Sequence, residues 1–249
     1  MTEDLARKEE SAIDVSSRRG HETPVDNSDL MIPRAKLLQA LSPEVQDDPK
    51  RFFQGMILNS ITKEELPKDD QGWITFIPIM RSVNWLRFNP QSDKDPDFNP
   101  EFEAGAIIWR SNNPSDPRVI AEGAWGPKSE PPKATKFINY LALVPGHSMP
   151  IVISFGKTSF KAGKALSTMT QFAPGDLFSW RYRLRSKKEQ NDAKQQYFVL
   201  VVEQCGQCPK DEFQKAESIY KTFAGKELKV HEESEEETAQ PQTTKNPWD

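Results

Sequence analysis

The sequence predicts a mainly β domain with minor α content, and two observations carry that expectation. Short segments rich in β-branched and aromatic residues recur between clusters of Pro, Gly, Asn and Asp, the pattern of strands punctuated by turns. Helical patterning is confined to a few short stretches. A stretch of about 200 residues between charged ends is ample for one domain. Many short strands with one or two helices then predict a compact OB-like barrel with elaborated loops and disordered termini.

The elements follow in chain order. Residues 1–30 are polar, with eight acids against four bases, and read as a flexible arm. Order is expected from Met31, with a short helix over Arg34–Leu41 stopped by Ser42-Pro43. Strands are expected at Gly55–Ile61, Trp73–Met80, Val83–Phe88 and Gly105–Arg110. Lys136–Val144 and Pro150–Phe155 read as a strand pair around the Pro145-Gly146-His147 turn. A helix from about Ser159 to Phe172 follows, with Thr158 or Ser159 as its N-cap. The next strands, Leu177–Leu184 and Gln196–Val202, flank a polar hairpin tip at Lys187–Lys194. A last helix over about Asp211–Ala224 ends at Gly225, so 31–225 reads as one domain and 226–249 as an acidic tail.

The formal net charge of −4 hides a segregation. Residues 133–194 carry eleven Lys and Arg against three acids, a net of +8. The last eighteen residues hold Glu232, Glu233, Glu235, Glu236, Glu237 and Asp249 against Lys245, with Trp248 as their only large apolar group. Such a segment cannot bury enough apolar surface to offset its ordering entropy, so disorder is expected. Its acids can cover a basic groove and its aromatic tip can dock into a partner. The N-terminus lacks an apolar signal core, and the apolar run Tyr197–Val202 is too short to span a bilayer. Two cysteines, Cys205 and Cys208, make no disulfide framework, and a reducing cytoplasm is the expected compartment.

The basic and aromatic residues interleave as single-strand binders require. In Trp180-Arg181-Tyr182-Arg183-Leu184-Arg185 the arginines share one strand face and the other three residues share the opposite one. Three arginines in a row repel one another unless something anionic lies across them, and a phosphate backbone would serve. Lys157, Lys161 and Lys164 are spaced for one helix side, with Phe160 beside them. Trp85, Arg87 and Phe88, then Trp109 and Arg110, mix rings with cations, and Lys136, Tyr140 and Lys187 extend the set. Each stacked base contributes roughly 1–3 kcal/mol. A strand face matched by acidic neighbours and rings buried in the barrel core are the competing interpretations.

Enzymatic motifs are incomplete. Gly156-Lys157-Thr158-Ser159 follows a strand and opens a helix, but a phosphate-binding loop needs a glycine where Ile151 stands. One phosphate at that helix start is still compatible. Cys205-Gly206-Gln207-Cys208 lacks the βαβ context of a redox motif and the partners of a zinc site, so it reads as a turn. The three histidines are scattered, and the acids of Asp93–Glu103 read as a loop. No catalytic residue, metal or cofactor is expected.

The segments IPRAKLLQALSPEV, GMILNSITKEELP, ITFIPIMRSVNWLRFNP, ISFGKTSFKAGKAL and YFVLVVEQCGQCPKDEF resemble a group of tailed-bacteriophage single-stranded-DNA-binding proteins, over roughly residues 31–225. The layout is also similar to that of bacterial and phage proteins pairing an OB-type core with an acidic, aromatic-tipped tail that recruits replication and repair enzymes. That resemblance implies partner binding through Glu232–Glu237 and Trp248, although Asp249 follows the aromatic here. The resulting expectation is a sequence-tolerant, non-enzymatic single-stranded-DNA-binding protein of phage replication or recombination, in the host cytoplasm. Self-association is left open. A phage structural or protein-interaction component is the alternative, and a metal-dependent nuclease the next.

Overall fold

The structure is a computed structural model that describes residues 30–126, 131–191 and 194–226. In chain order its elements are β1 (Ala35–Leu37), α1 (Pro43–Asp47), β2 (Ile57–Asn59), β3 (Ile74–Phe88), β4 (Ile107–Ser111), α2 (Pro117–Glu122), β5 (Ala134–Leu143), β6 (Ile151–Phe155), α3 (Phe160–Phe172), β7 (Trp180–Gln190), β8 (Gln196–Gln207) and α4 (Lys210–Phe223). The fold is mainly β with minor α, as expected.

The main sheet runs β6-β5-β3-β7-β8, with β4 paired to β3 off that path and every ladder antiparallel. A long strand, a hairpin partner and its neighbour, a helix, and a second hairpin is the strand order of an OB barrel. β3 makes this order possible by serving two partners. Ile74–Phe76 pair with β7, while Ile77–Arg87 pair with β5. A register shift between Pro78 and Met80 bends the strand where proline cannot donate to the ladder. The expected break between Met80 and Val83 is absent, because Arg81 and Ser82 pair with Tyr140 and Asn139.

The inward faces of these strands form the principal core, including Ile74, Phe76, Ile138, Tyr140, Ile153, Phe155, Tyr182 and Leu184. α3 closes one end through Ala162 and Leu166, and Gly163 sits where any side chain would strike Phe155. α4 covers part of the outer face. Its Ala216, Ile219 and Phe223 pack on Ile77, Ile79, Met80, Leu141 and Val152.

β6 and β8, the two edges of the path, do not pair, and β1 fills the seam between them. Arg34 forms a parallel bridge with Val152, whose N–H donates to the Pro33 carbonyl at 2.8 Å. The Gln39 side chain grips the β8 backbone, donating to the Phe198 carbonyl at 2.8 Å and accepting the Phe198 N–H at 3.0 Å. The helix expected over Arg34–Leu41 is therefore corrected to a strand with flanking coil, because its backbone groups go to β2 and the barrel edges. Buried Lys36 pairs with Glu44 at 2.8 Å, and Glu44 also takes Lys63 at 2.7 Å.

Ser159 stands at the N-cap of α3 as expected, but its side chain makes no capping bond and instead accepts the Leu200 N–H at 3.1 Å. β8 runs on to Gln207, so Cys205-Gly206-Gln207 is strand rather than turn. The N-terminal arm and the tail positions Glu232, Glu233, Glu235, Glu236, Glu237, Trp248 and Asp249 lie outside the described residues. No described helix is long and apolar enough to cross a membrane.

Candidate nucleic-acid interface

β3, β4 and β5 extend past the barrel as a three-stranded arm, and its register gathers many of the sequence-predicted residues. Trp85 lies opposite Ser111 on one side and Lys136 on the other, and Arg87 lies opposite Trp109 and Ala134. Lys136 holds its ammonium 5.2 Å over the Trp85 ring, and Arg118 stands 5.1 Å over Trp109. Phe88 meets Phe137 edge-on at 6.3 Å. Phe137 also fills the space beside Gly156, where no side chain would fit. The chain turning there places Lys157 5.1 Å over the Phe88 ring. Trp85, Arg87, Phe88, Trp109, Arg110, Lys136 and Lys157 thus share one end of the molecule.

Their roles differ from those expected. Trp85 and Phe88 are buried, so these rings support lysines rather than offer a face to a base. Tyr140 is fully enclosed in the core, its hydroxyl 3.0 Å from Ser167 Oγ, and base stacking on it is corrected to core packing. Arg87 braces the long loop after β3. It donates to the carbonyls of Phe88 and Lys133 and lies 3.6 Å from Glu122 and 3.8 Å from Asp97. Trp109 donates its indole N–H to Glu122 at 3.2 Å. Lys136 is exposed and makes no ion pair among the described residues.

The arginine stripe lies on the outer face of β7, with Tyr182 and Leu184 inward as the alternation predicts. Its neighbours are acidic after all. Arg181 binds Glu212 of α4, Nε donating at 2.7 Å, and Arg183 binds Glu203 of β8 at 2.8 Å. The Arg183 and Arg185 guanidiniums stand 4.5 and 4.3 Å over Trp73. The repulsion that seemed to call for an external anion is relieved within the fold. Lys187 likewise pairs with Glu189 at 3.1 Å.

The lysine series also divides. Lys157 precedes α3 and has a backbone φ of 47°, so it does not share the helix face of exposed Lys161 and Lys164. Phe160 packs against the core and carries Lys164 at 5.7 Å. Lys157 instead lines a cleft of about 80 Å³ at the seam, with Arg34, Lys36, Phe137, Ser154, Thr158 and Ser159 among its walls. Ser154 pairs with Asn139, so it and Phe137 lie on the outer face of β5 and β6. Arg185 belongs to a separate groove with Phe53 and Phe198. The expectation that lysines and arginines line one groove is not met.

Arg34 and Lys36 were not singled out from the sequence. Their two-residue spacing is a strand signal, obscured by reading the segment as a helix. Trp125, 68% exposed in the loop between β4 and β5, was also passed over. Among the described residues no group of His, Cys, Asp and Glu is placed to hold a metal ion. Burial pushes the Cys205 thiol up and Cys208 to about 11. Burial also raises the Glu44 carboxyl, but bonds from Lys36 and Lys63 outweigh it and hold the group at about 2.

Comparison with known proteins gives one family. The model described as Pam3 phage gp34-like protein matches residues 6–229. No curated protein and no solved structure matches the chain.

Proposed function

We propose that this chain, which belongs to the Pam3 phage gp34-like family and is a phage protein, binds single-stranded DNA without sequence preference, as a binding protein rather than an enzyme. The observation carrying the reading is the cleft of Arg34, Lys36 and Lys157 against the outer face of β5 and β6, in a barrel of OB strand order. OB barrels bind oligonucleotides on that face, flanked by the loop after their first strand and the tip of their last hairpin. Fold alone does not assign function, so the weight rests on the side chains.

Lys157 stands over the Phe88 ring at the edge of that face with Arg34 on the same cleft, and Lys136 stands over Trp85 on the opposite face of β5. Cations held over rings lose less freedom on meeting a phosphate than solvated ones. Bases would stack on the exposed ring of Trp125, in the loop between β4 and β5, rather than on Trp85, Phe88 or Tyr140. Protection of the strand during phage replication or recombination is the role this chemistry suits. The acidic tail would then compete for the cleft and recruit partner enzymes.

Titration of intrinsic tryptophan fluorescence with an oligothymidylate at low salt tests the reading. Saturable quenching, reversed by salt and much weaker with duplex, is the expected result. No quenching at low salt would end it in favour of a phage structural or interaction role. Metal-dependent loss of the strand would point to a nuclease.

A further inference from the structure

We propose that the seam cleft is a dedicated phosphate site, in which Arg34, Lys157, Thr158 and Ser159 hold one phosphoryl group. The proposal deepens the DNA reading and rests on it only for the source of the phosphate. The cations reach the cleft from segments more than a hundred residues apart, Arg34 and Lys36 from the β1 region and Lys157 from the start of α3. A solvated basic face would not converge in this way. The acid nearest in bonding, Glu44, is held by Lys36 and Lys63 and does not line the cavity.

The hydroxyls supply an independent observation. Ser159 is 8% exposed and accepts the Leu200 N–H, but its own proton has no acceptor among the described residues. Thr158 and Ser154, also on the cleft wall, make no side-chain hydrogen bond among the described residues. A buried donor without an acceptor is costly, and a tetrahedral anion carries enough acceptors for all three hydroxyls. Cations and hydroxyl donors around a half-open cleft are the reciprocal of a phosphate.

Backbone strain marks the same place. Lys157 takes the left-handed conformation with φ 47°, where glycine would rest without penalty. Strain of this kind persists where the side chain is needed. Replacing the lysine by glycine therefore separates folding from binding.

The test uses the full chain, with inorganic phosphate and thymidine oligomers as probes. In thermal melts at constant ionic strength, phosphate is expected to raise the melting temperature saturably relative to chloride. Lys157→Gly should melt no lower than wild type in chloride, lose the phosphate shift, and bind oligomer about tenfold more weakly. Thr158→Val should halve the shift or more. An oligomer with a 5′-phosphate binding about tenfold tighter than its unphosphorylated twin identifies a strand end as the source. Equal affinities, both lost in Lys157→Gly, identify a backbone phosphate. No phosphate shift in wild type, or a full shift in Lys157→Gly, overturns the site. A phosphate shift without oligomer binding would sink the DNA reading and leave the site standing.

Discussion

The arginine stripe of β7 and the lysine cleft beside β6 both come from the basic middle of the chain, but their charges are disposed in opposite ways. On β7, Arg181 and Arg183 meet Glu212 and Glu203, and Arg183 and Arg185 share the ring of Trp73. These contacts fasten α4 and β8 to the sheet. At this end of the molecule Lys157, on the cleft, rests over Phe88 and Lys136 rests over Trp85. The more conspicuous run of charge in the sequence is committed to the fold. A run of like charge gives the sign of a region, and only its neighbours decide whether that charge is available to a ligand.

The largest expected effect falls on Lys36, the buried cation of the cleft. Glu44→Gln should lower stability by about 3–5 kcal/mol at neutral pH, because it leaves Lys36 buried without its counter-charge. Urea unfolding measures the loss. The carboxyl sits at about 2 in the folded protein against an ordinary 4.5, so its contribution is complete above pH 4.5 and disappears as pH falls toward 2. The difference between wild type and variant should close over that window. A difference constant with pH would mean Glu44 acts by packing rather than charge.

Reversing the two ring-supported lysines comes next. Lys136→Glu with Lys157→Glu should weaken single-strand binding about 100-fold at low salt, or about 2.8 kcal/mol. Fluorescence anisotropy follows it, and a loss under tenfold would move the interface away from the cleft. Salt dependence gives a smaller and independent reading. Three phosphates neutralised, one of them in the cleft, predict a log–log slope near −2, and engagement of the three arginines as well would steepen it to about −4. Doubling the salt then weakens binding about fourfold in the first case and about sixteenfold in the second. Smallest of all, exchanging charges in Arg183→Glu with Glu203→Arg should leave DNA affinity within about threefold, since that pair lies across the surface of the sheet and is exposed. A larger loss would restore β7 to the interface.

Much of this architecture was legible in residues alone. Alternation in Trp180–Arg185 sorted Tyr182 and Leu184 inward and the arginines outward, because side chains on a strand alternate faces whatever surrounds them. The β5–β6 pair and helices α3 and α4 fell where their turn residues and apolar spacing placed them. Misreadings gathered at the seam. Arg34–Leu41 has the composition of a helix, but its backbone bonds are supplied by distant partners, Val152 and Met56 with its neighbours, and tertiary context overrode local preference. The same distance hid the cleft, since nothing local links Arg34 to Lys157. Tyr140 and Trp85 looked like stacking rings because an aromatic on a strand reads alike whether its face meets a base or the core.

The sequence by itself determined the β class, the sign of charge along the chain and which side of β7 faces solvent. Each depends on residue type and on spacings of a few residues, where covalent geometry dictates direction. The tertiary structure decided which arginines are neutralised, how β1 closes the barrel, and where hydroxyls and cations line a common cleft. Those depend on contacts across tens to more than a hundred residues, whose register is set by the packing of the whole barrel.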